Sequence, residues 1–304
     1  MTLTVPFRVL DLVARVASRV GGPRSVEQAL ARPVEERRAE VPPRWALRPR
    51  PPEVSSEDTA AGTVPVRVYR TGSPSGRALL YVHGGGFVVG SVDACDHICA
   101  DLADLTGDLV VSVDYRLAPD HPYPAGLDDC EEALRWLVAQ AASLGVDPTR
   151  VAVAGDSAGG NLAAALCLRV RDVPITHQVL VYPMLDLTCS GDSWVTEAPS
   201  HLRAEQVRVA VGYYHGDADV IDPQVSPLFA TDLAGLPPAL VLVAEHDALR
   251  DDGTDYAAAL VEAGVRVRLK EFRRMPHGFL QFPRLTDRYD RALREISAFL
   301  RSTA

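Results

Sequence analysis

The chain has 304 residues, 47% of them hydrophobic, which is enough to bury a substantial core in one large domain or two smaller ones. Its formal net charge of −9 argues against a nucleic-acid backbone as the main partner, because phosphate binding needs concentrated Lys and Arg. No apolar run reaches the roughly 18 residues that a bilayer span needs, so an integral membrane segment is not expected.

The N-terminal stretch carries Arg8, Asp11, Arg15 and Arg19 among its apolar residues, which excludes an uninterrupted signal-peptide core. Phe7, Val9, Leu10, Val13, Val16 and Val20 recur at roughly helical spacing, so residues 6–21 are expected to be an amphipathic helix. Residues 25–40 read as a second helix interrupted by Pro33. The proline-rich run 41–54 reads as an extended connector.

Beyond it, short β-branched apolar runs alternate with helical patterns. The expected strands are 64–70, 78–83, 109–114, 150–154, 178–182, 239–244 and 265–272, and the expected helices are 126–143, 158–170, 253–264 and 287–301. Such alternation predicts an α/β fold, a mostly parallel sheet covered by helices on both faces. Residues 187–225 break the rhythm and read as an insertion forming a lid.

Cys95, Cys99, Cys130, Cys167 and Cys189 are odd in number and scattered, which does not suggest a disulfide framework and fits a reducing cytoplasm. Cys95, His97 and Cys99 have no second cluster to complete a tetrahedral site, so no metal is expected.

Two motifs carry chemistry. Gly155-Asp156-Ser157-Ala158-Gly159 is a G-x-S-x-G run between an expected strand and an expected helix. A turn that tight exposes a nucleophilic serine, and the helix N-terminus faces developing negative charge. His83-Gly84-Gly85-Gly86-Phe87 ends an earlier strand. Its glycines leave backbone N–H groups open to an oxyanion, with Gly85 and Gly86 as donors beside Ala158. His83 is expected to orient the loop.

A serine needs a base and an acid partner, in the chain order Ser, Asp or Glu, His. His277 follows strand 265–272, and Asp247 follows strand 239–244. Glu245, Asp251 and Asp252 are rival acids, the last two suited to the start of the next helix. His201 and His215 suit solvated lid positions. Arg116 and Asp120 are expected to form a partly buried ion pair behind the oxyanion strand, rather than to touch substrate.

The segments YVHGGGFVVGS (81–91), DYRLAPDHPYPA (114–125), AGDSAGGNLAA (154–164), LPPALVLVAEHDALRDDG (236–253) and MPHGF (275–279) together resemble the hormone-sensitive-lipase-like esterases, bacterial family IV of the α/β-hydrolases, over residues 60–300. The resemblance implies the α/β-hydrolase sheet in residues 51–304. It also implies a helical cap from residues 1–50 and the insertion 187–225, and no cofactor. It assigns Ser157, His277 and Asp247 as a catalytic triad, Gly85, Gly86 and Ala158 as the oxyanion hole, and His83, Gly84 and Asp156 as supporting residues. Phe87, Trp194, Tyr213, Leu249 and Phe279 are candidates for the substrate pocket. Asp120 stands where the family often has Glu, and Ala248 where Pro is common. A short- to medium-chain acyl ester is the implied substrate, and a homodimer through the edge near 265–272 is implied as well. An acetylhydrolase or amidase acting on a secondary metabolite, and a non-catalytic receptor on the same fold, remain the alternatives.

Overall fold

A computed structural model describes Phe7, residues 31–197 and residues 204–302. The expected helix 6–21 and the first part of 25–40 therefore lie outside the described residues, as does His201. Eight strands form one sheet: β1 (Val54–Ala61), β2 (Val64–Thr71), β3 (Ala78–Val82), β4 (Leu109–Val113), β5 (Val151–Asp156), β6 (Ile175–Val181), β7 (Ala239–His246) and β8 (Val267–Pro276). Their spatial order is β1-β2-β4-β3-β5-β6-β7-β8. The six strands from β4 to β8 are parallel, while β1 and β2 run antiparallel at one edge.

Period-two alternation builds a core on each face. Leu80, Val111, Val153, Leu180 and Val241 face one core. Helices α3 (Ala125–Ala139), α5 (Ala158–Arg169) and α8 (Arg250–Glu262) cover much of it. Leu79, Val110, Ala152, Val179 and Leu240 face the other, beneath α2 (Asp96–Thr106) and α9 (Arg288–Leu300). Four shorter or peripheral helices complete the described set: α1 (Val34–Arg38), α4 (Ala141–Leu144), α6 (Ser193–Thr196) and α7 (Ala204–His215). No helix among the described residues is long and apolar enough to cross a membrane.

The seven expected strands are all present. β1 was not expected, because VSSEDTAA is polar and lies at an edge with most of its residues exposed. α2 was not expected either; it begins just after Cys95 and presents Cys99, Ala103 and Leu102 to the second core. All five cysteines are buried free thiols.

The expected pairing of Arg116 with Asp120 is wrong. Arg116 instead makes a bidentate pair with Asp129 of α3, Nη2 to Oδ1 at 2.7 Å and Nε to Oδ2 at 3.0 Å. Asp120 pairs with Arg37 of α1. The reason is direction: α3 passes close behind the 114–125 loop and offers Asp129 to both the backbone and side chain of Arg116. Arg37 is 1% exposed. It donates to the carbonyls of Val88 (2.6 Å) and Ala118 (2.7 Å) and accepts from Gly90 N–H through its own carbonyl (3.1 Å). One buried guanidinium thus ties α1 to the glycine loop and to the 114–125 loop. Arg37→Met would leave two buried carbonyls without their donor and is expected to cost about 3 kcal/mol, read by chemical denaturation. A loss below about 1 kcal/mol would show that water replaces the clamp.

Candidate active site

The site is built at the C-terminal ends of the parallel strands, where β5 turns abruptly into α5. Ser157 occupies that turn with φ 57° and ψ −120°, a conformation that L-residues rarely adopt. The turn has no room for neighbouring side chains. A Cβ on Gly155 would stand 2.1 Å from the carbonyl oxygen of Gly159, and one on Gly159 would stand 2.1 Å from that of Val82. The two glycines therefore let α5 leave the sheet at once, against the end of β3.

Ser157, His277 and Asp247 meet in a hydrogen-bonded chain. His277 Nε2 lies 2.9 Å from Ser157 Oγ, and His277 Nδ1 lies 2.8 Å from Asp247 Oδ2. Asp247 is fully buried, and its second oxygen accepts from Leu249 N–H at 3.0 Å. The ring of Tyr182 meets the His277 ring edge-on at 4.8 Å. The rival acids are occupied elsewhere. Glu245 accepts from Arg274 N–H at 2.6 Å. Asp251 accepts from Ser193 N–H, and buried Asp252 from Leu185 and Asp186 N–H, so both tie α8 to the 185–193 segment. His215 Nδ1 lies 3.0 Å from the Ala218 carbonyl, away from the serine.

The glycine loop stands beside the serine. Gly85 has φ 128°, and a Cβ there would stand 2.1 Å from the carbonyl of Val89. Among the described residues, no protein acceptor takes the N–H groups of Gly85, Gly86 and Ala158. Asp156 is buried and holds the loop's first glycine: Oδ1 accepts from Gly84 N–H at 3.0 Å and from Tyr81 Oη at 2.9 Å. Burial pushes its carboxyl up, and these two bonds oppose the shift.

His83 stacks on Tyr115 at 4.4 Å, and Tyr115 Oη donates to the His83 carbonyl at 3.0 Å. Its Nδ1 lies 2.8 Å from the Gly84 carbonyl. Burial pushes the imidazole down to about 4.

A cavity of about 610 Å³ opens onto Ser157 and His277. Its apolar walls include Val41 and Pro42 of the N-terminal segment, Val88, Met184, Phe282, and Val207, Ala210 and Val211 of α7. The five residues suggested by sequence for this pocket do not line it. Trp194, Leu249 and Phe279 are buried in the cores behind it, Tyr213 is exposed on α7, and Phe87 is covered by Tyr214. Four of the five are aromatic, but the rings of Trp194, Phe279 and Phe87 fill the protein interior. The lining of α7 uses small residues spaced three and four apart, a helical signal too short and too weakly apolar to stand out.

Residues 79–281 match a family model described as the alpha/beta hydrolase fold. The chain is 42% identical over 250 residues to a carboxylesterase of Mycobacterium tuberculosis, covering 76% of this chain and 77% of that protein. It is 40% identical over 241 residues to an ethyl acetate hydrolase of Pseudomonas putida, covering 76% of each. A hyperthermophilic esterase from Pyrobaculum calidifontis superposes with a TM-score of 0.84 at 36% identity, over 99% of this chain and 98% of that one.

Folded His83 stays neutral until about pH 4, whereas unfolded His83 gains its proton as the pH falls through 6.5. The unfolded chain then binds more protons, so this residue withdraws stability as the pH drops, by about 2 kcal/mol between pH 7 and pH 5. Denaturation of His83→Gln is expected to show a pH dependence shallower by that amount. An unchanged slope would mean that His83 titrates normally.

Proposed function

Since the chain belongs to the α/β-hydrolase family, in its hormone-sensitive-lipase-like branch, we propose that it hydrolyses carboxylic esters with Ser157 as the nucleophile. The observation that carries the reading is the continuous chain from Ser157 Oγ through His277 to buried Asp247. Ser157 attacks the ester carbonyl while His277 Nε2 takes its proton. Asp247 holds the imidazole in the tautomer that leaves Nε2 free to accept, and stabilises the imidazolium that forms. The tetrahedral oxyanion is received by the N–H groups of Gly85, Gly86 and Ala158, which stand at the end of β3 and the start of α5. His277 then protonates the leaving alcohol. Water repeats the cycle on the acyl-enzyme, so no cofactor is called for.

An acyl group of short to medium length suits the cavity, since Val41, Val88, Val207 and Val211 give it an aliphatic wall within about 610 Å³. We read residues 1–50 and 187–225 as the two parts of a cap, because Val41 and Pro42 from the first and Val207 and Val211 from the second line the same cavity. The edge position of β8 and the exposure of Leu269 and Val261 support a homodimer through that edge. Five free thiols support a reducing, cytoplasmic setting.

A series of aryl esters of increasing acyl length, beside matched amides, tests the reading through ratios of kcat/KM. Short acyl esters are expected to lead and amides to lag. Ser157→Ala is expected to lower kcat by about 10⁴-fold or more. Amides turned over as fast as esters would make the protein an amidase, and a wild type that binds these esters without turnover would make it a receptor.

A further inference from the structure

The glycine loop ends on Phe87, which has φ 65° without being a glycine. Such a backbone persists only where surrounding contacts over-determine it. One is a backbone bond, Ala118 N–H donating to the Phe87 carbonyl at 3.0 Å, and the contact with the side chain comes from α7. The Phe87 ring lies on that of Tyr214 with centroids 3.7 Å apart and planes 10° from parallel. Two rings left to themselves prefer an offset or edge-on arrangement, so the surrounding packing imposes this one. Both rings are buried, at 1% and 2% exposure. Tyr214 is itself fixed: Tyr123 N–H donates to its carbonyl at 2.7 Å, and the Tyr123 ring meets it edge-on. One turn earlier on the same helix, the Cβ of Ala210 lies 3.7 Å from where a Cβ on Gly86 would stand. Two successive turns of α7 thus stand over two successive residues of the loop, with room at Gly86 for no more than a methyl group.

From this geometry we infer that Tyr214 is a positioning residue for the oxyanion hole. Stacked on Phe87, it holds the loop in the left-handed backbone that presents the Gly86 N–H to the reacting carbonyl. The inference rests on the ester-hydrolase reading above and assigns a task to the insertion besides enclosing substrate. The phenol plays no part in the hold, for among the described residues Tyr214 Oη has no hydrogen-bond partner.

Three variants and two readouts test it. Tyr214→Ala removes the ring, Tyr214→Leu fills its space without a flat face, and Tyr214→Phe keeps the stack. The readouts are steady-state hydrolysis of a short aryl ester and the affinity of an aryl boronic acid, whose tetrahedral adduct on Ser157 places an oxygen where the oxyanion forms. Tyr214→Ala and Tyr214→Leu are expected to lower kcat by about 10- to 100-fold, a part of what losing a whole donor costs, with KM within about twofold. Boronate affinity is expected to fall by a similar factor, and Tyr214→Phe to stay within about twofold of wild type on both readouts. Should Tyr214→Ala not fold, Tyr214→Leu carries the same expectation. A change in KM alone would place Tyr214 in substrate binding instead. Unchanged kcat in the leucine variant, or a fall in Tyr214→Phe as deep as that in Tyr214→Leu, would overturn the inference. Wild-type turnover that survives Ser157→Ala would strike the underlying reading, a result separate from any of these.

Discussion

The close approach of α5 to the ends of β3 and β5 is the constraint on which the site depends. With no side chain at Gly155 or Gly159, the helix starts directly against the carbonyls of Val82 and His83. That contact sets three things at once. It strains Ser157 into a backbone that lifts its hydroxyl toward His277. It leaves the first N–H of α5, on Ala158, without an intrahelical partner and facing the glycine loop. It also brings Asp156, the last residue of β5, within reach of Gly84 N–H, so the nucleophile turn and the loop are bonded to each other.

Around this junction the charged groups are arranged to hold backbone rather than to face solvent. Arg37 reaches in from α1 to two carbonyls, one on the glycine loop and one on the 114–125 loop. Arg116 and Asp129 brace the 114–125 loop from behind, and Asp252 accepts two N–H groups from the segment that leads into the insertion. Arg37 and Asp252 are buried, where losing one partner costs more than the bond itself contributes, and the half-exposed Arg116 is held by buried Asp129. The donors that would stabilise a transition state are therefore fixed before substrate arrives, which is what electrostatic catalysis requires.

The cavity follows a different rule. Its walls come from segments distant in sequence, Val41 and Pro42 on one side and Val207, Ala210 and Val211 on another, with Met184 between. None of these side chains is large or chemically distinctive. Phe279 against Tyr182 and Phe87 against Tyr214 pack behind the surface, while Tyr182, edge-on to His277, and Phe282 also border the cavity. Their area is spent largely on fixing the positions of catalytic and loop residues, and aliphatic side chains supply much of the wall left for substrate.

Local chemistry made much of this legible in the amino-acid order alone. The parallel strands declare themselves because burial on both faces demands near-continuous apolar, β-branched runs, as in LVVSV and ALVLVA. Ser157, Gly85 and Gly86 declare themselves because tight turns and open N–H groups demand glycine at fixed spacing. Asp247 and His277 follow from strand order, and Glu245 could be set aside only when its bond to Arg274 N–H was seen. What tertiary structure alone decided are the pairings between remote segments. Arg37 with Asp120, Arg116 with Asp129 and Tyr214 with Phe87 join residues whose partners depend on which loop passes behind which helix. No local pattern encodes them, because each side chain carries several possible partners and the fold selects one by proximity. The same reason kept the true pocket lining hidden: small apolar residues become a binding surface only when separate elements enclose a space between them.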